Sequence, residues 1–174
     1  WYHFLPYLIH HFRNLIFLYK DRLYSYVLKN IGDNDIADDV FQEVLIKTWK
    51  AIPNYDKRQK FAPWIFTIAH NSIIDAIRKN KIFSSIETVK NNKSHSDPAK
   101  DFELFENERL IEKAIHRLNE RQREVFLMRQ SGELKFREIA KILNKPMNTV
   151  LSDMNYAIKK IKNFLKEEHE FKRT

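Results

Sequence analysis

Asp38, Asp39, Gln42 and Glu43 crowd one polar stretch, with Ile46 and Lys47 just beyond. Helical spacing of three and four residues makes neighbours of these side chains. An acidic patch of this kind needs a cationic or hydrogen-bonding partner. Its plain alternative is a solvated face carrying a Glu43–Lys47 pair worth a few tenths of a kcal/mol. Ile46, apolar on the polar side, favours a contact surface. A second concentration is basic. Lys57, Arg58, Lys60, Arg78, Lys79 and Lys81 oppose one acid, Asp75, between residues 57 and 81. Such a local excess suits a phosphate backbone. Thr67, Asn71, Asp75 and Arg78 share one helical face there, and Asp56 lies in the turn before it. A third group, Asn148, Leu151, Ser152, Asn155 and Lys159, lines the solvent side of a later helix, with Thr149 and Tyr156 beside it.

Catalysis and metal binding find little support. No Ser/His/Asp arrangement, phosphate loop or metalloprotease helix is present, so an enzyme is not expected. His10 and His11 are adjacent and point to different sides of a helix, which argues against a shared metal. Cofactors are not expected. The chain of 174 residues has no cysteine, which excludes disulfides and thiolate zinc sites and is compatible with a reducing cytoplasm. Net charge is +8 and the pI about 9.5, which suits a polyanionic partner, though a membrane surface would also attract such a charge.

The elements that position these groups are helical. Only Gly32 and Gly132 supply glycine, too few for a sheet-rich fold. Apolar periodicity predicts helices over residues 8–30, 35–51, 63–80, 102–118, 120–129, 136–143 and 147–166. Gly32 and Asp33 stop the first and Pro53 ends the second. The second buries Ala37, Phe41, Val44, Leu45, Thr48, Trp49 and Ile52. The third, with Pro63 in its first turn, buries Trp64, Ile65, Ile68, Ala69 and Ala76. Asn119 with Gln122 reads as a capping box. Periodicity fades over residues 84–100. The expected architecture is all-α: one helical domain over residues 1–82, a flexible linker over 83–104, and a second helical domain over 105–174. No apolar run spans a bilayer. The aromatic leader lacks a basic start and a cleavage site, so it is a poor signal peptide.

Residues 136–160 have the layout of a helix-turn-helix. Ile139, Ala140 and Leu143 pack the first helix, and Asn144 takes the left-handed turn. Val150, Met154, Ala157, Ile161 and Leu165 form the buried stripe of the second, whose N-terminal part meets base edges in such motifs. The segment Leu118-Asn119-Glu120-Arg121-Gln122-Arg123-Glu124-Val125-Phe126 precedes it. Upstream stand Ala37-Asp38-Asp39-Val40-Phe41-Gln42-Glu43-Val44, Lys47-Thr48-Trp49, Trp64-Ile65-Phe66-Thr67-Ile68-Ala69-His70-Asn71, Ile74-Asp75 and Arg78. In this order the chain resembles the sigma-70 family of the extracytoplasmic-function type, over residues 15–80 and 108–165.

That resemblance implies a cytoplasmic transcription initiation factor that binds core RNA polymerase and promoter DNA. Region two and region four would be the two helical domains. Asp38, Asp39, Gln42, Glu43, Ile46 and Lys47 would dock on the beta-prime clamp helices, and the second domain on the beta flap. Asp56, Lys57, Arg58, Lys60, Thr67, Asn71, Arg78 and Lys79 would bind the minus-ten element, where the family holds a base of the separated strand in a pocket. Asn148, Thr149, Leu151, Ser152, Asn155, Tyr156 and Lys159 would read the minus-thirty-five element. Trp64 reads as core rather than as a DNA-opening wedge.

The recognition helix departs from the family. Leu151, Asp153 and Tyr156 stand where cations are usual, and Lys135 replaces a Ser/Thr cap. Weak minus-thirty-five reading is expected, aided by another DNA-targeting partner. An anti-sigma factor is a further expected partner. The aromatic leader has two readings, a partner contact or an extension of the first helix packed on region two. A stand-alone helix-turn-helix regulator is the rival from another class; it accounts for the second half of the chain only. A regulatory scaffold that occupies polymerase without reading DNA is the third.

Overall fold

The computed structural model describes residues 5–56, 58–84 and 102–171, and among these every regular element is a helix. The α-helices are α1 (Leu5–Ile31), α2 (Asn34–Ala51), α3 (Phe61–Ser84), α4 (Phe102–His116), α5 (Glu120–Gln130), α6 (Phe136–Ile142) and α7 (Met147–Phe171). A short 3-10 turn, Ile52–Asn54, follows α2. The chain forms two compact units, Trp1–Asn91 and Asn92–Thr174. Most of the linker expected over residues 83–104 lies outside the described residues. At its edges, 83–84 continue α3 and 102–104 open α4. No described helix is long and apolar enough to cross a membrane.

Local chemistry sets the boundaries in the first unit. Gly32 has φ 79°, the left-handed conformation that glycine adopts without Cβ strain, and its N–H closes α1 on the Leu28 carbonyl at 2.7 Å. Asp33 belongs to the next helix. Its carboxylate accepts the Ile36 N–H at 3.0 Å, so it caps α2 rather than helping to stop α1. The three helices pack pairwise around Leu23, Tyr26 and Val27 of α1, Val40 and Val44 of α2, and Ile65, Phe66 and Ala69 of α3. Tyr26 and Phe66, both fully buried, sit 5.2 Å apart across the α1–α3 seam.

The packing corrects two predicted stripes. In α2 Val40 is buried, Phe41 and Leu45 are only half-buried, and Trp49 is 39% exposed. In α3 the buried set is Phe61, Ile65, Phe66, Ala69, Ser72 and Ile73; Trp64, Ile68 and Ala76 are only half-buried. α3 meets both α1 and α2, so its sealed arc is centred between them rather than on the most apolar register.

The second unit is organised by α7, against which α4, α5 and α6 all pack. Asn119 caps α5 by accepting the Gln122 N–H at 2.9 Å. The reciprocal half of the expected box is absent: Gln122 Oε1 is buried and accepts no hydrogen bond. At Lys135 the cap is supplied from the other side, the Glu138 carboxylate accepting the Lys135 N–H at 2.8 Å. Asn144 has φ 50°, as expected for the turn. The stripe of α7 packs through buried Val150 and Ala157 with half-buried Met154, Ile161 and Leu165. Phe164 adds a buried ring, covered by the Arg117 guanidinium at 4.4 Å from its centroid.

Candidate nucleic-acid interface

On α2, Asp38, Asp39 and Gln42 are exposed and Ile46 is 53% exposed. Asp38 is already engaged: its Oδ1 accepts the Tyr24 hydroxyl at 2.7 Å. That bond to a carboxylate is the main reason the Tyr24 phenol is pushed above its ordinary value. Asp39 and Gln42 are the more available polar groups. Sequence reasoning missed Trp49 here. Its partly exposed ring extends the apolar surface begun by Ile46, one turn away, and receives the Phe12 ring edge-on at 5.1 Å. That contact shows the described end of the leader packing on α2; Trp1 to Phe4 lie outside the described residues.

Lys47 corrects the expected docking set. Its ammonium turns toward α3, 2.7 Å from Glu43 Oε1, 3.0 Å from Ser72 Oγ and 3.6 Å from Asp75 Oδ2. Hydrogen bonding to Glu43 is the largest cause of its raised pKa. The plain Glu43–Lys47 pair therefore forms, yet it is one arm of a network between two helices.

The turn before α3 is stiffened by its own side chains. The Tyr55 hydroxyl donates to the Gln59 carbonyl. The Tyr55 ring lies 4.7 Å from Trp64 and 5.8 Å from Phe61, so Trp64 is part of a half-buried aromatic cluster. Burial is the main cause that pushes the Tyr55 phenol up. Asp56 accepts from the Arg58 backbone N–H at 3.0 Å and from its guanidinium at 2.9–3.1 Å. The bond from Arg58 holds this carboxyl below its usual range. Asp56 thus holds Arg58 by its side chain and backbone. Lys57 lies outside the described residues. Arg58, Lys60, Asn71, Arg78 and Lys79 are exposed. The Thr67 hydroxyl donates to the Pro63 carbonyl at 2.7 Å, leaving it only as an acceptor toward a ligand.

In the second unit Asn148, Thr149, Ser152, Asn155 and Lys159 are exposed, Tyr156 is 59% exposed and Leu151 is half-buried. Asp153 does not stand among them. Its Oδ2 is sealed from solvent without a hydrogen bond, and its charge acts on Glu124 of α5. Burial is the largest cause raising the Glu124 pKa, opposed by Lys145 at 3.8 Å. Asp153, one of the residues standing where cations are usual, thus acts on α5 rather than on the exposed face of α7. Sequence reasoning also passed over Arg137 and Lys141. With Lys145 and Met147 they line an open cavity of about 480 Å³ beside the α6–α7 turn. Their cationic type at i, i+4 spacing was the available signal.

Two protein-family models match the chain: Sigma-70 region 2 over residues 15–82 and Sigma-70, region 4 over residues 108–161. The chain belongs to the sigma-70 family. Its relatives place it among the ECF sigma factors, which act in promoter recognition and transcription initiation. It is 29% identical over 150 residues to the ECF RNA polymerase sigma factor SigW of Bacillus subtilis, covering 80% of each chain. It is 27% identical over 152 residues to RpoE of Cereibacter sphaeroides, covering 87% of this chain and 84% of that one. Among solved structures, the sigma factor RpoE of Bartonella quintana, in complex with the anti-sigma factor NepR, has the same fold. The TM-score is 0.75 at 21% identity, over 90% of this chain and 97% of that one. CnrH, in complex with the cytosolic domain of CnrY, matches with a TM-score of 0.65 at 19% identity, over 90% and 88% of the two chains. Region 2 of this sigma factor is thus α1–α3, and region 4 lies within α4–α7.

Proposed function

We propose that this sigma factor docks on core RNA polymerase through Asp39, Gln42, Ile46 and Trp49 of α2, and opens promoter DNA with α3 and the 55–60 turn. One observation carries this reading. Within a single three-helix unit an exposed acidic and apolar face on α2 is distinct from an exposed basic and amide face on α3. Such a pair of faces serves two partners of opposite character. The second unit would dock on the beta flap and meet duplex DNA with α7. The protein would act in the cytoplasm, without chemistry of its own. An anti-sigma regulator belongs to this proposal, on the precedent of the Bartonella quintana RpoE structure with NepR. Co-purification with core polymerase followed by run-off transcription tests the reading; polymerase binding without any initiated transcript would leave only a regulatory occupant.

Asn71 is assigned to the base pocket. It is exposed between half-buried Thr67 and Asp75 on the α3 face, and its amide can both donate and accept on a base edge. Holding a flipped base must offset a few kcal/mol of stacking. Asn71→Ala is expected to lower strand opening about ten-fold, one good hydrogen-bonded contact, with polymerase recruitment unchanged. Permanganate reactivity of minus-ten thymines reads this, and undiminished opening would remove Asn71 from the pocket.

For α7 we propose weak sequence reading and dependence on a second DNA-targeting partner. Over residues 148–156 the exposed face of α7 carries no cation, and its first lysines, Lys159, Lys160 and Lys162, follow further along the helix. Leu151→Lys with Tyr156→Arg is expected to add two phosphate contacts and steepen the salt dependence of duplex binding by about two units of log slope. Fluorescence anisotropy against salt measures it. Strong initiation by the unmodified protein and core polymerase alone, from one defined minus-thirty-five sequence, would overturn the partner.

A further inference from the structure

The cavity beside the α6–α7 turn combines cationic with apolar lining. Three cations, Arg137, Lys141 and Lys145, line it, and no carboxylate does. Arg137 and Lys141 stand one helical turn apart on α6. Both are exposed, and among the described residues neither is held in an ion pair. Lys145 is only partly committed: its ammonium is 3.8 Å from Glu124 Oε2, within ion-pair range but beyond hydrogen-bond distance. Most of the remaining lining is apolar, Ala140 and Pro146 with Met147, which is 47% exposed. The volume of about 480 Å³ falls in the range of small-molecule sites.

Cations that converge on one hollow favour a ligand with several negative charges. An apolar lining beside them favours a ligand that also carries a flat or apolar body. A DNA backbone phosphate supplies the charge but places no such body in the hollow. We propose that this cavity binds a nucleoside di- or triphosphate. Its phosphates lie on Arg137, Lys141 and Lys145, and its base lies against Pro146 and Met147. The Asn144 amide, which can both donate and accept, serves the base edge. The cavity is open, so water competes, and the expected dissociation constant is on the order of 10–100 µM. Met147 is also the first residue of α7. On the reading of α7 as the DNA-facing helix given above, bound polyphosphate sets negative charge beside the end that meets the duplex. It also takes up the cations of the neighbouring turn, so the ligand lowers duplex binding.

Isothermal titration of the full-length chain at low salt, without magnesium, tests the site with ATP and with inorganic pyrophosphate. ATP is expected to bind in that range. Pyrophosphate is expected to bind at least about ten-fold more weakly, because it lacks the body that covers the apolar lining. Arg137→Ala and Lys141→Ala are each expected to weaken ATP about ten-fold, the loss of one charge-assisted contact. Met147→Ser is expected to weaken ATP about three- to ten-fold and to leave pyrophosphate unchanged. Arg121→Ala removes an exposed cation of α5 outside the cavity and is expected to change nothing. All four positions are exposed, and circular dichroism checks that each variant keeps its helices. Pyrophosphate binding as tight as that of ATP would overturn the proposal, as would ATP binding that survives Arg137→Ala and Lys141→Ala. Duplex binding is scored separately by fluorescence anisotropy, where saturating ATP is expected to weaken it about three-fold or more. ATP bound at the cavity with no effect on the duplex keeps the site and sinks the reading of α7. A duplex bound through α7 by a chain that takes no ATP sinks the site and spares that reading.

Discussion

Asp39→Lys combined with Ile46→Ala abolishes capture of core polymerase at concentrations where the unmodified chain is saturated. The expected loss is on the order of 100-fold or more in affinity. A reversed charge opposite a basic partner costs several kcal/mol through like-charge juxtaposition, and an anchoring aliphatic side chain contributes about 1–2 kcal/mol. The fold is expected to be untouched. Asp39 is exposed and Ile46 is 53% exposed, so neither closes the core. Competition against a labelled sigma factor measures the affinity, and a circular-dichroism melt checks the fold. A folded double variant with normal affinity would dismiss α2 as the docking helix. The choice of Asp39 over Asp38 and Glu43 is structural, since Tyr24 engages Asp38 and Lys47 engages Glu43.

The largest stability effect is expected at Phe66. This ring is fully buried and packs on Tyr26 at 5.2 Å across the α1–α3 seam. Phe66→Ala removes the ring and leaves a cavity, at a cost of about 3–5 kcal/mol. Against the 5–15 kcal/mol typical of a domain, this should lower the midpoint of the first unit by roughly 15 °C or more. The second unit has its own core around Leu110, Ala114 and Phe164 and should melt as before. Tryptophan separates the two, because Trp1, Trp49 and Trp64 all lie in the first unit. The fluorescence transition is expected to move, while the helical signal of the second unit persists to its original temperature. Coincident loss of both signals would show that the units unfold together.

What could be read from the sequence was local. Gly32 and Asn144 fall where the backbone turns left-handed, at φ 79° and 50°, because few residues tolerate that region. Asn119 caps α5 because its short carbonyl reaches an N–H three residues on. The helical class followed from two glycines and long 3.6-residue periodicity, and the family from residue types at fixed spacing. Helix ends drifted by a few residues, α7 running to Phe171 and α3 to Ser84, since no glycine or proline stands there to stop them.

Side-chain direction was decided in three dimensions. Trp49 has the spacing of a core residue, yet the α1–α2 contact takes Val40 instead and leaves Trp49 to Phe12. Asp153 has the spacing of a DNA-facing residue, yet α5 crosses beside it and brings Glu124 near. Lys47 belongs by spacing to the docking patch, and the crossing of α3 supplies Ser72, 25 residues away, to turn it inward. Periodicity fixes which residues share a helical face. Which arc of that face is sealed, and which charges meet, depends on the angle and register at which another helix crosses it, and those are set by packing distant parts of the chain together.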